Sequence, residues 1–219
     1  MKGDETKNMI KVAARRLFAT RGINGVSVRE IATAANQRNS GSVHYYFRTK
    51  EALVRELVAD GAKLIDERRN AMLDEAERDG RIKNVRTVIE LLVQSSSALD
   101  AEAGEEDTYI RFISLLQGSD RQLFLDALEH KWNSGYQRCL AHIRRLLPNL
   151  PQSILSQRLV FMGLYLNAAL SAREAALDGQ KSVHRFWSAP HTMDNFVDTA
   201  QALLEGKSSV HTTRKMLIR

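Results

Sequence analysis

Proline is scarce in this chain. Only three occur among 219 residues, Pro148, Pro151 and Pro190, all in the last third, and aromatic side chains amount to 6%. Turn-rich sandwiches and barrels draw on more of both, so the composition points to helices. Cysteine is scarcer still. Cys139 stands alone, which excludes an intrachain disulfide and a cysteine zinc set and suits a reducing, cytoplasmic compartment. Long apolar runs are missing as well. The longest uncharged one, Leu159 to Ala172, has 14 residues, short of the roughly 20 that cross a bilayer, and reads as a buried helix. Lys2, Asp4, Glu5 and Lys7 occupy the place where a secretory signal would need apolar residues, so no such signal is expected. His44, His130, His142, His184, His191 and His211 are scattered without the spacing of a metal site, and neither metal nor cofactor is expected.

What the chain does have is a 43% hydrophobic content, enough for a real core, and an uneven charge. Its net charge of +6 is concentrated at one end. Residues 1–50 hold ten basic and three acidic side chains, residues 51–206 carry a net −5, and residues 207–219 carry +4. A basic head on a mildly acidic body suggests a polyanion-binding module joined to a part with another task. The expected domains follow that division: a head over 1–50, a helical body over 51–206, and a basic tail over 207–219 expected to be disordered.

Apolar spacing in the head is helical. Ile10, Ala13, Ala14, Leu17 and Phe18 share one face, and Gly22 stands where a left-handed cap belongs. Ser27 and Glu30 form a capping-box pattern opening a second helix, with Val28, Ile31, Ala32 and Ala35 as its inner stripe. After the polar turn Asn36-Gln37-Arg38-Asn39, a short third helix fits Ser40 to Phe47 with Asn39 as its N-cap. Thr49 caps a long fourth helix that reaches Gly80, with Leu53, Leu57, Val58, Leu64 and Ile65 in helical register. Further helices are expected near 84–101, 106–118, 120–147, 152–178 and 192–205, giving an all-α fold.

Three short helices with a polar turn before the third form a helix-turn-helix layout. A helix entering a major groove about 12 Å wide needs small and hydrogen-bonding residues outward. Ser40, Gly41, Ser42, His44 and Tyr45 supply them, while Val43 and Phe47 point inward. Ser27 with Arg29, and Thr49 with Lys50, stand at helix starts suited to gripping phosphate. Arg38, Asn39 and Tyr46 complete the set expected at DNA. No nucleophile elbow, glycine-rich phosphate loop or paired carboxylates speak for an enzyme or carrier.

Residues 9–57 resemble the DNA-binding domain of TetR-type bacterial transcriptional regulators. The resemblance is carried by Ala13-Ala14, Leu17-Phe18, Gly22, Ser27-Val28-Arg29-Glu30-Ile31-Ala32, Val43-x-Tyr45-Tyr46-Phe47, and Lys50 followed by Leu53. The family's Gly-Val-Ser turn is replaced here by Asn36 to Asn39, one residue longer. The resemblance implies a homodimeric repressor on a palindromic DNA operator, released by a small-molecule effector bound in the body, with the fourth helix as lever. An activator, or a factor that needs no ligand, is the alternative. It also implies effector contacts among Tyr109, Phe112, Leu116, Trp132, Tyr136, Phe161, Tyr165 and Asn167, and dimerisation through the last two long helices. Leu155, Leu159, Met162, Gly163, Leu166 and Leu170 make a stripe on one, and Phe196, Val197, Ala200, Leu203 and Leu204 on the other. The same stripes would also serve packing within one subunit.

Overall fold

The structure, a computed structural model, describes residues 2–97, 107–128, 131–178 and 184–212. Among these, ten α-helices and no strands are found. The head comprises α1 (Lys2–Arg21), α2 (Val28–Ala34) and α3 (Gly41–Phe47). The 29-residue α4 (Lys50–Arg78) leads into α5 (Val85–Ser95), α6 (Tyr109–Ser119), α7 (Arg121–Leu128), α8 (Ser134–Leu146), α9 (Gln152–Leu177) and α10 (Thr192–Glu205).

The local signals in the head act as their chemistry requires. Gly22 takes φ +70° after α1 and its N–H closes on the Phe18 carbonyl at 2.9 Å. Ser27 and Glu30 form both halves of the capping box. Asn36, at φ +54°, turns the chain after α2 in a conformation that asparagine tolerates better than most side chains. The third helix starts one residue later than expected: Ser40 holds the cap position in helical geometry, and Asn39 Oδ1 accepts from the Gly41 N–H at 2.9 Å.

Two helices of the body are started by carboxylates from elsewhere in the chain. A single helix over 120–147 is expected from periodicity, but the chain breaks into α7 and α8, with Trp132 at φ +57° between them. Asp66 on α4, only 6% exposed, accepts from the Gly135 N–H and the Ser134 hydroxyl, both at 2.8 Å, and so caps α8. Glu174 on α9 does the same for α6, taking the N–H groups of Ile110 at 3.1 Å and Arg111 at 2.6 Å. Such caps satisfy first-turn donors that the helix itself leaves open.

Head and body share one apolar core. It runs from Ile10 and Phe18 in α1 through Leu53 in α4 to Phe112 in α6 and Leu166 in α9. The α1 helix lies chiefly along α6 and meets α4 less. The Phe18 and Phe112 rings stack at 6.0 Å across that seam. Leu64, expected inside α4, is instead exposed. Of the basic tail, residues 207–212 are described: Arg158 donates to the Ser208 hydroxyl at 3.1 Å, and Thr212 N–H closes on Ser209. Residues 213–219 lie outside the described residues.

Candidate nucleic-acid interface

The α3 helix is too short to stand by itself, and Val43 and Phe47, both buried, fasten it to the head core. Its other side faces outward. Tyr45 is 81% exposed, Gly41 and His44 are exposed, and Ser40, Ser42 and Tyr46 are half-buried. The Tyr45 ring is steadied edge-on by Tyr46 at 5.0 Å between centroids. His44 Nδ1 lies 3.0 Å from the Arg48 carbonyl, an acceptor, so the ring donates there. In the neutral imidazole that leaves Nε2 as an acceptor.

The nine head cations whose side chains are described fall into separate groups. Lys7 and Lys11 turn to the body, where they meet Glu56 at 2.6 and 2.5 Å, and Lys11 also meets Asp60 at 2.6 Å. Burial opposes the Lys11 charge, yet the Asp60 and Glu56 carboxylates outweigh it and raise its pKa. Burial likewise opposes the Glu56 charge, and Lys11 with Lys7 outweighs it, so the Glu56 pKa falls. Arg15 donates to Thr108 at 3.2 Å, and Arg16 approaches Asp178 at 3.9 Å. Arg21 pairs with Glu30 at 2.8 Å. The Ser27 N–H, then its hydroxyl, then Arg21 hold the Glu30 carboxyl at a pKa of about 2.

Arg29, Arg38 and Arg48 differ: all are exposed, and among the described residues none has an ion pair. Arg48, at φ +61° between α3 and α4, is absent from the residues expected at DNA. Its only signal in the sequence is its charge. Three expected contacts are engaged elsewhere. Lys50 is half-buried and donates at 3.1 Å to the carbonyls of Ile23 and Val26, tying down the turn between α1 and α2. The hydroxyls of Ser27 and Thr49 cap α2 and α4.

The residues expected around an effector do not converge on one cavity. Phe112 and Leu116 are fully buried core. Tyr109 donates its hydroxyl to the Val58 carbonyl at 2.8 Å, its ring lies against the bare backbone of Gly61, and burial drives its pKa far above the usual phenol value. Trp132 borders an open cleft with Asp66 and Ser134, and Lys63 sits over its ring at 5.5 Å. Tyr136 is half-buried against Arg69, Tyr165 bonds Thr199 at 2.5 Å, and Asn167 donates to Gln117 at 3.1 Å. Phe161 is 57% exposed.

The stripes expected at a dimer interface are largely consumed inside the subunit. Leu155, Leu159, Met162, Leu166 and Leu170 of α9 are buried, as are Phe196, Val197, Ala200 and Leu204 of α10; Gly163 is half-buried and Leu203 is exposed. The opposite face of α9 is apolar too, and Val160, Phe161 and Leu164 lie there in the open. Periodicity could not select between the two faces, since α9 is apolar around most of its circumference.

Residues 10–57 match the family model described as bacterial regulatory proteins, tetR family. No curated protein matches the chain. Among solved structures, a proposed fatty acid metabolism regulator of Clostridium perfringens is similar with a TM-score of 0.54 at 19% identity, over 92% of this chain and 99% of that one. A proposed TetR-family transcriptional regulator of Mesorhizobium loti MAFF303099 is similar with a TM-score of 0.43 at 20% identity, over 93% and 98%. The first of these establishes a shared fold. Among the described residues, no helix is long and apolar enough to cross a membrane.

Proposed function

We propose that this chain, whose residues 10–57 match the tetR family of bacterial regulatory proteins, is a dimeric, non-enzymatic, cytoplasmic repressor whose grip on a palindromic operator is released by a small molecule. One observation carries the DNA reading. The small and polar outer face of α3 is flanked in the chain by exposed Arg38 and Arg48, and Arg29 is exposed on α2; none of the three has an ion pair among the described residues. Hydrogen-bonding groups on a groove-sized helix suit base edges, and unpaired cations beside them suit phosphates.

The dimer is proposed through the outer face of α9, where Val160, Phe161, Leu164 and Ala168 are exposed, together with Ala202 and Leu203 of α10. A helix apolar on both faces calls for a partner on each, and a second copy related by a two-fold axis offers the same surface in return. Two α3 helices would then meet half-sites about 34–36 Å apart.

The test is gel retardation on promoter DNA from the gene's own neighbourhood, followed by transcription from that promoter. Tyr45→Ala should weaken binding about 10-fold or more, the scale of a single base-edge interaction. An unchanged affinity would displace α3 as the reading helix. Transcription that rises when the protein is added would replace repression by activation.

A further inference from the structure

We propose that the cleft bounded by α5, α9 and α10 around Arg173 is a binding site for a small monocarboxylate with a short apolar tail. The cleft encloses about 260 Å³. Its central feature is an orphan: Arg173 Nε is buried and has no hydrogen-bond partner among the described residues. A buried donor without an acceptor is costly, and a guanidinium more so, which makes this atom the place where an acceptor from outside the chain would be most favoured. The carboxylates on the cleft wall are engaged elsewhere. Glu90 meets Arg86 at 2.8 Å and Asp194 meets it at 3.5 Å. Glu174, the next residue along α9, reaches into the start of α6 instead.

Two further features select the ligand's chemistry. The cleft takes in the first turn of α10 at Met193 and Asp194, where His191 in the cap position makes no side-chain cap bond, so the positive end of that helix also favours an anion. Val93, Met193 and Val197 give the wall an apolar stretch, beside the polar Gln94 and Ser97. Glu90 and Asp194 at the same wall disfavour a multiply charged anion, so a carboxylate is preferred over phosphate. The guanidinium fork matches a carboxylate with two parallel hydrogen bonds. Serving as the effector site is an additional role that rests on the DNA-binding reading above.

The experiment uses the full chain, with butyrate, hexanoate and benzoate as probes and hexanamide and phosphate as controls, followed by calorimetric titration and thermal unfolding. At least one monocarboxylate should bind saturably and raise the unfolding temperature, with hexanamide and phosphate at least about tenfold weaker. Arg173→Met should lower the affinity at least about tenfold. If that variant fails to fold, Arg173→Lys, which keeps the charge and lacks the Nε donor, should show the loss. Binding of hexanamide equal to hexanoate, undiminished affinity in the folded variant, or no binding of any carboxylate overturns the site. In the last case retained gel retardation leaves the DNA reading standing. Saturable binding that leaves operator affinity unchanged removes only the effector role.

Discussion

The α3 and α9 helices each bury one face and expose the other, and they differ in what they expose. On α3 the open side offers Gly41, His44 and Tyr45, with Ser42 half-buried between. On α9 it offers Val160, Phe161, Leu164 and Ala168, with Ala172 and Ala175 continuing the line. A partner for the first must bring hydrogen-bonding groups and negative charge. A partner for the second must bring apolar surface, since water gains nothing from that face. The same architecture therefore leaves two open faces of different chemistry, and the seam between them runs through the packing of α1 on α6.

The largest effect should come from cutting that seam. Phe112→Ala removes a fully buried ring stacked on Phe18 and should cost about 3–5 kcal/mol in stability, measured by denaturant unfolding. Because the core is continuous, the loss should appear in head and body together. A head that melts alone while the body transition stays put would mean that the two regions fold independently.

Next is the outer face of α9. Replacing both Phe161 and Leu164 by Arg leaves the subunit core intact because both side chains are exposed. Sedimentation should then give a monomer, and operator affinity should fall about 100-fold or more as the two half-sites lose their linkage. A dimer that persists would place the interface elsewhere, while Tyr45→Ala should leave the oligomeric state unaltered.

A smaller effect separates two cations that charge alone makes equivalent. Arg48→Ala should reduce the slope of log affinity against log salt by about one, the share of a single neutralised phosphate, with stability unchanged. Lys50→Met should behave oppositely, costing about 1–2 kcal/mol of stability through two lost hydrogen bonds, with little change in salt slope. Exchange of the two outcomes would reverse their roles.

The smallest effect is acid sensitivity at α2. Glu30 has a folded pKa of about 2 against an ordinary 4.5, so its contribution to stability is complete above pH 4.5 and is lost as the pH falls from there towards 2. Glu30→Gln should flatten that part of the stability curve. An unchanged acid slope in the variant would mean that the capping box and the Arg21 pair contribute nothing.

Much of the head is legible in the sequence because its signals are local. The capping box lies within four residues, Gly22 ends its own helix, and Val43 and Phe47 declare the inner side of α3 by their spacing. Arg48 escapes sequence reasoning because no local pattern separates a free arginine from a paired one. In the body the local signals stop at the helix surface. The start of α8 depends on Asp66, 69 residues earlier in the chain than Gly135, and the start of α6 depends on Glu174, 64 residues beyond Ile110.

By itself, then, the sequence determined the all-helical class, the three-helix head with the small and polar outer face of its third helix, and the concentration of positive charge there, because propensity, capping and periodicity act over a few residues. Tertiary structure alone decided which head cations are neutralised by the body and which remain open, where the 120–147 segment breaks, and which face of α9 is left outward. Those outcomes turn on which distant side chains arrive, and a helix apolar on both faces carries no record of which neighbour will come first.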